Sequence, residues 1–408
     1  MRLLVLTEAF PPETKSASTL FFELAESLVK KGFDVTVITR KPRYNVASGT
    51  DVKKIPEQEV IAGIKVHRCQ TLPLARNIPL VRGFEHFLLG LTFFLRGMRL
   101  GQYDAILVYS PPLPLGIAGY WLGRAKKCPV VVNIQDLYPQ TVIDLGLLKN
   151  KFLIWLSRCM EKFIYQNSDV LTVHSEGNKA YVSALGAKNV VVVHNWVDTT
   201  LIKPEARDND FSKKNNLKDK FIVSFAGVMG FAQGLDVVIS AADLLKGEKE
   251  LLFVLVGDGI KKPELKAMAK EKGLKNVLFV PTLPVNLYPQ ILHSSDICLI
   301  TLRYDLVTPV VPGKLPPIMA AGKPVIASVP LNGDAPKIIT NHNCGLVVEP
   351  ANPQALANAV MKLYNDGKLL VEMGQRGREA AVKEFSRPVC IEKYVVIFNG
   401  LRKKTNGL

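Results

Sequence analysis

The stretch TPVVPGKLPPIMAAGKPVIAS, residues 308–328, predicts a loop, a short helix, a tight turn and a buried strand. Pro316 and Pro317 fall in the first helical turn, the one part of a helix that tolerates proline, and Gly322 then ends the helix. Lys314 stands at the start of this helix, where unpaired N–H groups and the helix dipole favour an anion. Prolines have no N–H to offer, so the lysine carries more of that attraction. The alternative is an ordinary helix–strand unit with a solvated lysine.

The same alternation of helix and strand runs through the rest of the chain. Apolar runs such as residues 3–6 are typical of strands covered on both faces of a parallel sheet. One strand–helix–strand unit opens the chain, and another follows the polar stretch 203–220, which has the composition of a linker or entry loop. We therefore predict an α/β protein with Rossmann-like domains at residues 1–202 and 203–385, and a C-terminal helical segment at 386–408.

The composition narrows the class of protein. A chain of 408 residues suggests two or three domains. Met1 and Arg2 are followed directly by an apolar run typical of a strand, so we expect no signal peptide. No run reaches the roughly 18 uncharged apolar residues of a spanning helix. The six cysteines are scattered without a CxxC pair, a pattern that fits a reduced cytoplasm and argues against a zinc site. We expect a cytoplasmic protein.

The chain is strongly basic, with a formal net charge of +16. A charge of this size indicates a polyanionic partner: nucleic acid, an anionic membrane or a phosphorylated substrate. No nucleic-acid-binding module and no interleaving of basic and aromatic residues on one strand is found, so we expect no nucleic acid. A membrane surface together with a nucleotide diphosphate accounts better for the charge.

Three segments resemble one family. The run PGKLPPIMAAGKPVIA at 312–327, the glycine loop GVMGFAQGLD at 227–236 and the run QDLYP at 135–139 are similar to those of retaining GT-B glycosyltransferases of family GT4. They are nearest to the branch that builds capsule, colanic-acid and O-antigen sugars, which includes aminosugar transferases. The resemblance implies two facing Rossmann-like domains with an interdomain cleft, and a C-terminal helix that packs back on the first domain.

The implied reaction is a metal-independent transfer from a nucleotide-diphosphate sugar, with uracil as the expected base, to a glycan or polyprenyl-linked acceptor. The sugar nucleotide is a co-substrate, and no cofactor is expected. The resemblance places the donor on the second domain, in contact with Gly230, Phe231, Gln233, Gly257, Leu283, Arg303, Val311, Gly313, Lys314 and Leu315. Many relatives carry an arginine and a lysine in the glycine loop. Gln233 stands at that lysine's place here, which leaves Arg303 and Lys314 as candidates for the diphosphate.

One departure from the family concerns two glutamates that are spaced eight residues apart. Those positions read Pro309 and Pro317 here, and the second glutamate normally binds the nucleotide ribose. Two other functions therefore stay open. A non-catalytic subunit would keep the fold and bind a partner or nucleotide without turnover. A nucleotide-sugar epimerase would need several acid and base groups in the cleft, and apart from Asp136 the sequence offers few.

The first domain carries the residues that the resemblance assigns to the acceptor side. Asp136 and Tyr138 follow an apolar strand, and ligands of open α/β sheets bind at such strand ends. The Asp136 carboxylate is a candidate to accept a proton from an acceptor hydroxyl, and the alternative is a helix-capping aspartate. Lys15 and Ser16 stand in the first loop, where relatives have glycines beside the sugar and acceptor, and a solvated loop is the alternative.

Residues 84–100, FEHFLLGLTFFLRGMRL, predict an amphipathic helix with Arg82, Arg96 and Arg99 around it. Such a helix can lie on an anionic membrane, and the alternative is a buried domain helix. A second amphipathic helix at 149–166 is either core or interfacial. Asp208-Asn209-Asp210 is formally a DxD metal motif, but it lies in polar sequence rather than after a strand. We interpret it as solvated charge and expect no metal site.

Overall fold

A computed structural model describes residues 1–43, 46, 50–70, 79–305, 309 and 311–406; the side chains of 79, 80, 82 and 403–406 lie outside that description. The chain forms two compact units. Unit 1 comprises Met1–His194 and Cys390–Leu408, and unit 2 comprises Asn195–Val389. The sequence prediction placed its boundaries after residues 202 and 385.

Unit 1 is built on a sheet with the strand order β3-β4-β2-β1-β5-β6-β7-β8. All neighbouring pairs are parallel except β3 and β4. In chain order its elements are β1 Arg2–Leu6, α1 Ser16–Lys30, β2 Asp34–Arg40, β3 Gln58–Ile61, β4 Ile64–Cys69, α2 Pro79–Met98, β5 Ala105–Ser110, α3 Leu113–Lys126, β6 Val130–Ile134, α4 Gln140–Asp144, α5 Lys151–Asn167, β7 Val170–Val173, α6 Glu176–Ala184 and β8 Val190–Val192.

Unit 2 has a sheet with the order β11-β10-β9-β12-β13-β14, in which every pair is parallel. Its elements are α7 Asp210–Lys214, β9 Phe221–Ala226, α8 Asp236–Leu244, β10 Leu251–Val256, α9 Lys262–Glu271, β11 Val277–Val280, α10 Tyr288–Ser294, β12 Ile297–Thr301, α11 Leu315–Ala320, β13 Val325–Ser328, α12 Asp334–Asn341, β14 Gly345–Val348, α13 Pro353–Tyr364 and α14 Gly367–Glu384. The last helix, α15 Arg387–Asn406, begins in unit 2 and continues in unit 1.

Each sheet reverses its strand order at one point. In unit 2, β10 and β11 lie on one side of β9, and β12 to β14 lie on the other. In unit 1 the reversal falls between β1 and β5. The loops after the two strands at such a point diverge to opposite faces, which leaves a crevice at the carboxyl ends where open α/β sheets bind ligands. The fold therefore offers one ligand-binding edge in each unit.

The stretch at 308–328 folds as predicted in the part that the structure describes. Helix α11 contains both prolines in its first turn, Gly322 follows it with a φ of +68°, and β13 runs parallel to β12. Strand β13 is buried along its whole length, as a central strand requires. Thr308 and Val310 lie outside the described residues.

Two local predictions were wrong, and one strand was missed. Helix α1 begins at Ser16, so Lys15 and Ser16, which were predicted to lie in a loop, are at the start of a helix. The polar stretch 203–220 contains α7, which is held by Phe211 in the core and capped by Asn209. Asp208 and Asp210 of the supposed DxD are exposed, which agrees with solvated charge, and Asn209 between them caps α7. Strand β3 was not predicted, because a short edge strand with alternating half-buried side chains has no apolar run to mark it.

Residues from Cys390 onward are part of the packing of unit 1. Tyr394 is buried, and its hydroxyl accepts a hydrogen bond of 2.9 Å from the side-chain amide of Asn133 in β6. Asn133 also donates to the Thr172 hydroxyl at 3.0 Å. The C-terminal helix thus supplies one of the hydrogen-bond partners of a polar side chain in the centre of a parallel sheet.

Candidate functional site

The candidate site in unit 2 lies where the sheet reverses its order, between β9 and β12. The loop after β9 and the end of β12 are joined directly, since the Arg303 N–H donates to the Ala232 carbonyl at 3.0 Å. Gly257, which follows β10, packs so closely on the β9 loop that a Cβ there would overlap the carbonyl oxygen of Gly227. Gly257 and Gly227 have φ of +143° and +146°, values that favour glycine. The glycines therefore let backbone segments meet at this edge.

Lys314 places its ammonium group in the middle of this edge. Its Nζ lies 3.5 Å from the centroid of the Phe225 ring, the last aromatic residue of β9, in cation–π geometry. A Cβ on Gly227 would come within 2.6 Å of the same nitrogen, so any larger residue there would displace it. Phe225 of β9 and Gly227 directly after it thus form the surface on which the Lys314 side chain packs.

The charge of Lys314 is not balanced by protein. Its pKa is lowered to about 7, and the cause is burial, which disfavours the charged form. Among the residues that the structure describes, no carboxylate forms an ion pair with it. A positive group that is desolvated and lacks a counter-ion is suited to bind an anionic ligand.

Arg303, the other predicted cation, is in a different state. Its Nε donates to the Asp305 carboxylate at 3.0 Å, and a second guanidinium nitrogen contacts the same side chain. Since the pair is partly exposed, its own worth is small. The guanidinium charge is already neutralised by a neighbour two residues away, so Lys314 is the stronger candidate for a phosphate.

The start of α11 offers less to an anion than its position suggests. Pro316 and Pro317 have no N–H. The Leu315 N–H donates to the Pro312 carbonyl at 2.9 Å, and the Ile318 N–H donates to the Lys314 carbonyl at 3.1 Å. Leu315 was predicted to contact the donor, but its side chain is fully buried in the core and its N–H is used. The side chain of Lys314, rather than the helix end, is what this segment presents.

Gln233 and Gly230 were predicted to contact the donor, and both are used within the glycine loop. The Gly230 N–H donates to the Gln233 side-chain oxygen at 3.3 Å, so the glutamine shapes the loop from inside. Phe231 is exposed, and the Lys261 ammonium lies 5.3 Å from the centroid of its ring. The remaining predicted donor residues lie at the same edge. Gly313 is exposed, and Val311 and Leu283 are partly buried.

In unit 1, Asp136 follows β6 at the carboxyl edge of the sheet. Solvent reaches this residue, yet the protein around its carboxyl raises the pKa by desolvation, and the nearby His174 opposes that rise. The helix-cap alternative is wrong, because α4 begins at Gln140 and Pro139 occupies its cap position. A carboxylate that does not cap a helix, at a strand end, remains available to an acceptor.

His174 supports the segment that carries Asp136. Its Nε2 lies 2.7 Å from the Gln135 carbonyl, and its own carbonyl oxygen lies 2.9 Å from Nδ1 of His194. The ends of β6, β7 and β8 are thereby tied together. Tyr138 donates its N–H to the Asp136 carbonyl at 2.8 Å, which closes a tight turn.

The first loop carries more charge pairing than expected. Lys15 occupies the N-cap position of α1. Its ammonium lies 3.3 Å from the carboxylate of the buried Glu13, and that carboxylate also lies 3.5 Å from the Arg40 guanidinium. Ser16 is the first residue of the helix. Burial is the main cause that raises the pKa of the Tyr109 hydroxyl, and the carboxylates of Asp136 and Glu8 raise it further. Glu8 of this loop and Asp136 therefore lie near the same tyrosine, at one edge of the sheet.

Comparison with known proteins decides the family. Residues 17–196 match the model of the glycosyl transferase 4-like domain, and residues 206–380 match that of glycosyl transferases group 1. The chain belongs to the GT4 glycosyltransferases. A relative named a putative colanic acid biosynthesis glycosyl transferase, WcaI of Escherichia coli K12, is 26% identical over 97% of this chain and 99% of its own.

Solved structures agree on the fold of this glycosyltransferase. Sucrose-phosphate synthase from Thermosynechococcus elongatus is similar with a TM-score of 0.78 at 19% identity, over 98% of this chain and 99% of the other. Anabaena HepE in complex with UDP is similar with a TM-score of 0.75 at 16% identity, over 98% and 100%. Identities this low show the fold alone, and that fold is the predicted GT-B.

Two further features of the glycosyltransferase structure concern metal clusters and membrane-spanning helices. Across the described ranges, no three His, Cys, Asp or Glu side chains come together in a group that could hold a metal ion. Across the same ranges, none of the helices combines the length and apolar character needed to cross a membrane.

Proposed function

We propose that this glycosyltransferase moves a sugar from a UDP-linked donor to a glycan or polyprenyl-linked acceptor, in the synthesis of a surface polysaccharide and with retained anomeric configuration. The observation that carries the proposal is the unbalanced ammonium group of Lys314 at the order-reversal point of unit 2. The similarity of this chain to a protein named for colanic acid biosynthesis supports the pathway class. The UDP complex of HepE supports the choice of nucleotide.

In this proposal each unit has one task. Lys314 binds the donor diphosphate and stabilises the charge that grows on it as the bond to the sugar breaks, usually the largest electrostatic contribution in such sites. The acceptor hydroxyl attacks from the face that the diphosphate leaves. Asp136 in unit 1 orients that hydroxyl or accepts its proton. The donor is a co-substrate, and the reaction is proposed to need neither cofactor nor metal.

A screen of sugar nucleotides tests the proposal. The protein is incubated with a panel of UDP- and GDP-sugars, and released nucleotide is measured. We expect UDP release from at least one UDP-sugar, and loss of that release in Lys314→Ala. Release from GDP-sugars alone would overturn the choice of nucleotide. No release from any donor would instead favour a non-catalytic protein that only binds nucleotide.

The affinity for a UDP-sugar should depend on pH through Lys314. The free lysine has a pKa of about 7, so it is largely charged below that pH and neutral above it. A bound diphosphate favours the charged form and raises the pKa. Above pH 7, binding must take up a proton, and affinity should fall by up to about tenfold per pH unit. Calorimetry at pH 8 in two buffers of different ionisation enthalpy measures this uptake, which Lys314→Ala should abolish.

Restoring the family's second glutamate should strengthen nucleotide binding. Pro317 is partly exposed in the first turn of α11, where a carboxylate suits the helix dipole. A ribose hydroxyl bound by Glu in Pro317→Glu should add about 1.5–3 kcal/mol to UDP affinity, the worth of a hydrogen bond to a charged group. Pro317→Ala removes the ring without adding a carboxylate and serves as the control. Equal affinities in the two variants would show that position 317 does not reach the ribose.

A polyprenyl-linked acceptor lies in a membrane, so we also propose that the protein works at the inner face of the cell membrane, held peripherally. The charge of +16 supports this location, because anionic headgroups attract clustered lysine and arginine.

A further inference from the structure

Helix α2 carries an apolar stripe that its own unit does not cover. Five large side chains, spaced three or four residues apart, are exposed on one side of the helix: Phe84, Phe87, Leu91, Leu95 and Met98. The other side is the core side, where Leu89 and Phe93 are buried against the sheet. The buried-helix alternative therefore accounts for only one side of α2. An uncovered apolar stripe of this length marks an interaction surface.

The stripe continues onto α3. A groove of about 240 Å³ runs between the two helices, and its lining has no charged residue. Phe87 and Leu91 line it from α2, and Ile117 and Trp121 line it from α3. Trp121 is 55% exposed although its ring is large and apolar. The groove is therefore open to an apolar ligand from outside.

From α3 the same surface passes to α5 through aromatic contacts. The ring of Tyr120 lies 5.2 Å from that of Trp121 and 4.9 Å from that of Phe163 in α5. At the start of α5, Phe152 and Trp155 are exposed, and their rings are 5.8 Å apart. Residues 152, 155 and 163 fall on one side of the helix. We call the exposed apolar sides of α2, α3 and α5 together the three-helix face.

The three helices are packed too closely for this face to fold inward. A Cβ on Gly97 of α2 would lie 2.5 Å from Leu122 of α3, and a Cβ on Gly116 of α3 would lie 2.7 Å from Ile164 of α5. Close contact through these small residues fixes how the three helices lie against one another on either side of the groove. The face is thus a fixed feature of the surface.

The charged side chains that these helices expose to solvent are all cations. The only carboxylates within α2, α3 and α5 are Glu85 and Glu161. Both are buried and paired, Glu85 with Arg43 at 3.0 Å and Glu161 with Arg158 at 2.9 Å. The exposed charged residues within the helices are Arg124, Lys151 and Lys162, and the exposed Arg99 directly follows α2. The exposed Asp169 lies two residues beyond the end of α5. The Arg124 guanidinium lies 5.3 Å from the centroid of Tyr120, at the face itself.

We propose that the three-helix face docks the protein on an anionic lipid bilayer, with a hydrocarbon chain of a lipid entering the groove between α2 and α3. Aromatic rings and aliphatic side chains bordered by cations, without exposed carboxylates within the helices, match the acyl and headgroup layers of such a bilayer. The inference deepens the proposed function, on which it rests for the membrane location, by assigning the surface that brings the enzyme to a lipid-linked acceptor. It adds α3 to the two amphipathic helices that the sequence indicated, at 84–100 and 149–166.

Sedimentation with vesicles tests the docking. The full chain is mixed with phosphatidylcholine vesicles, with or without an equal part of phosphatidylglycerol. We expect sedimentation with the anionic vesicles only, weakening as salt rises. Leu91→Asp should reduce the bound fraction about tenfold, because a carboxylate in the face must enter the bilayer. Leu244→Asp is the matched control, since Leu244 on α8 of unit 2 is 52% exposed and Leu91 is 54% exposed. The control should bind as the wild type does.

Tryptophan fluorescence tests which helices enter the lipid. The chain has three tryptophans, of which Trp121 and Trp155 lie on the face and Trp196 belongs to unit 2. Lipids brominated on their acyl chains should quench the emission of Trp196→Phe. They should not quench the double variant Trp121→Phe/Trp155→Phe, which emits from Trp196 alone. Quenching of the double variant but not of Trp196→Phe would overturn the proposal.

Other outcomes separate this inference from the proposed function. Equal binding to neutral and anionic vesicles, or no binding, would overturn the docking and leave nucleotide release from UDP-sugars intact. A lipid-free dimer that Leu91→Asp dissociates would show that a second copy covers the face. Vesicle binding without release of UDP from any donor would instead keep the docking and overturn the proposed function.

Discussion

Asp136→Asn is expected to lower sugar transfer by about 10²–10⁴-fold, the usual worth of a positioned proton acceptor, while UDP affinity stays unchanged. The carboxylate lies at the carboxyl edge of unit 1, is reached by solvent and caps no helix. The asparagine keeps the shape of the side chain but cannot take up a proton. UDP affinity is unaffected in this account because the donor residues belong to unit 2.

The pH profile and a control substitution sharpen this test. Desolvation raises the pKa of Asp136, and the carboxyl must be ionised to accept a proton. Transfer by the wild type should therefore fall as pH drops through that raised pKa. The residual activity of Asp136→Asn should not show this fall at low pH.

Asp34→Asn changes an exposed carboxylate at the amino end of β2, where it pairs with Lys65, and should leave transfer unchanged. Similar losses in both variants would remove Asp136 from the reaction.

Lys314→Ala is expected to weaken UDP binding by roughly 1.5–3 kcal/mol, or about 10- to 160-fold, the worth of a charge-assisted contact. No carboxylate pairs with Lys314 in the described part of the chain, so its removal breaks no ion pair there. Burial of the charge is costly without a ligand, and the variant should therefore be at least as stable as the wild type. Thermal unfolding measures that stability, and calorimetry measures the affinity.

Lys246→Ala provides the control for Lys314→Ala. Lys246 is an exposed lysine of unit 2 that pairs with Asp243 at 3.0 Å, so its substitution removes the same net charge from the same unit. UDP affinity should be unchanged in this variant. If both variants lose affinity equally, the effect comes from the general charge of the protein and not from a contact at position 314.

The fold was largely predictable because its signals are local. Buried parallel strands such as Leu251–Val256 are continuous apolar runs, and Gly322 marks the end of α11 in the sequence itself. The failures have physical reasons. Lys15 and Ser16 were predicted to lie in a loop, whereas the burial of Ser18 and Phe21 extends α1 to Ser16. Tertiary packing overrides weak local preference at helix ends.

The site was less predictable because its decisive contacts are distant in sequence. Nothing in the local sequence shows that Lys314 lies over Phe225 or against Gly227. The pairing of Arg303 with Asp305, by contrast, was visible from a separation of two residues and would have ranked Lys314 first. The periodicity of α5 showed an amphipathic helix but not which side the core would cover, so Phe152 and Trp155 could not be assigned to the surface.

The central claim is that a donor diphosphate rests on the Lys314 ammonium. Calorimetric titration of the wild type and Lys314→Ala with UDP and with uridine, using displacement for the weaker ligand, tests it most directly. The account predicts that the variant loses most of the difference in affinity between UDP and uridine, and that both proteins bind uridine equally. Equal UDP affinity in the two proteins, or an equal loss for UDP and uridine, would contradict it.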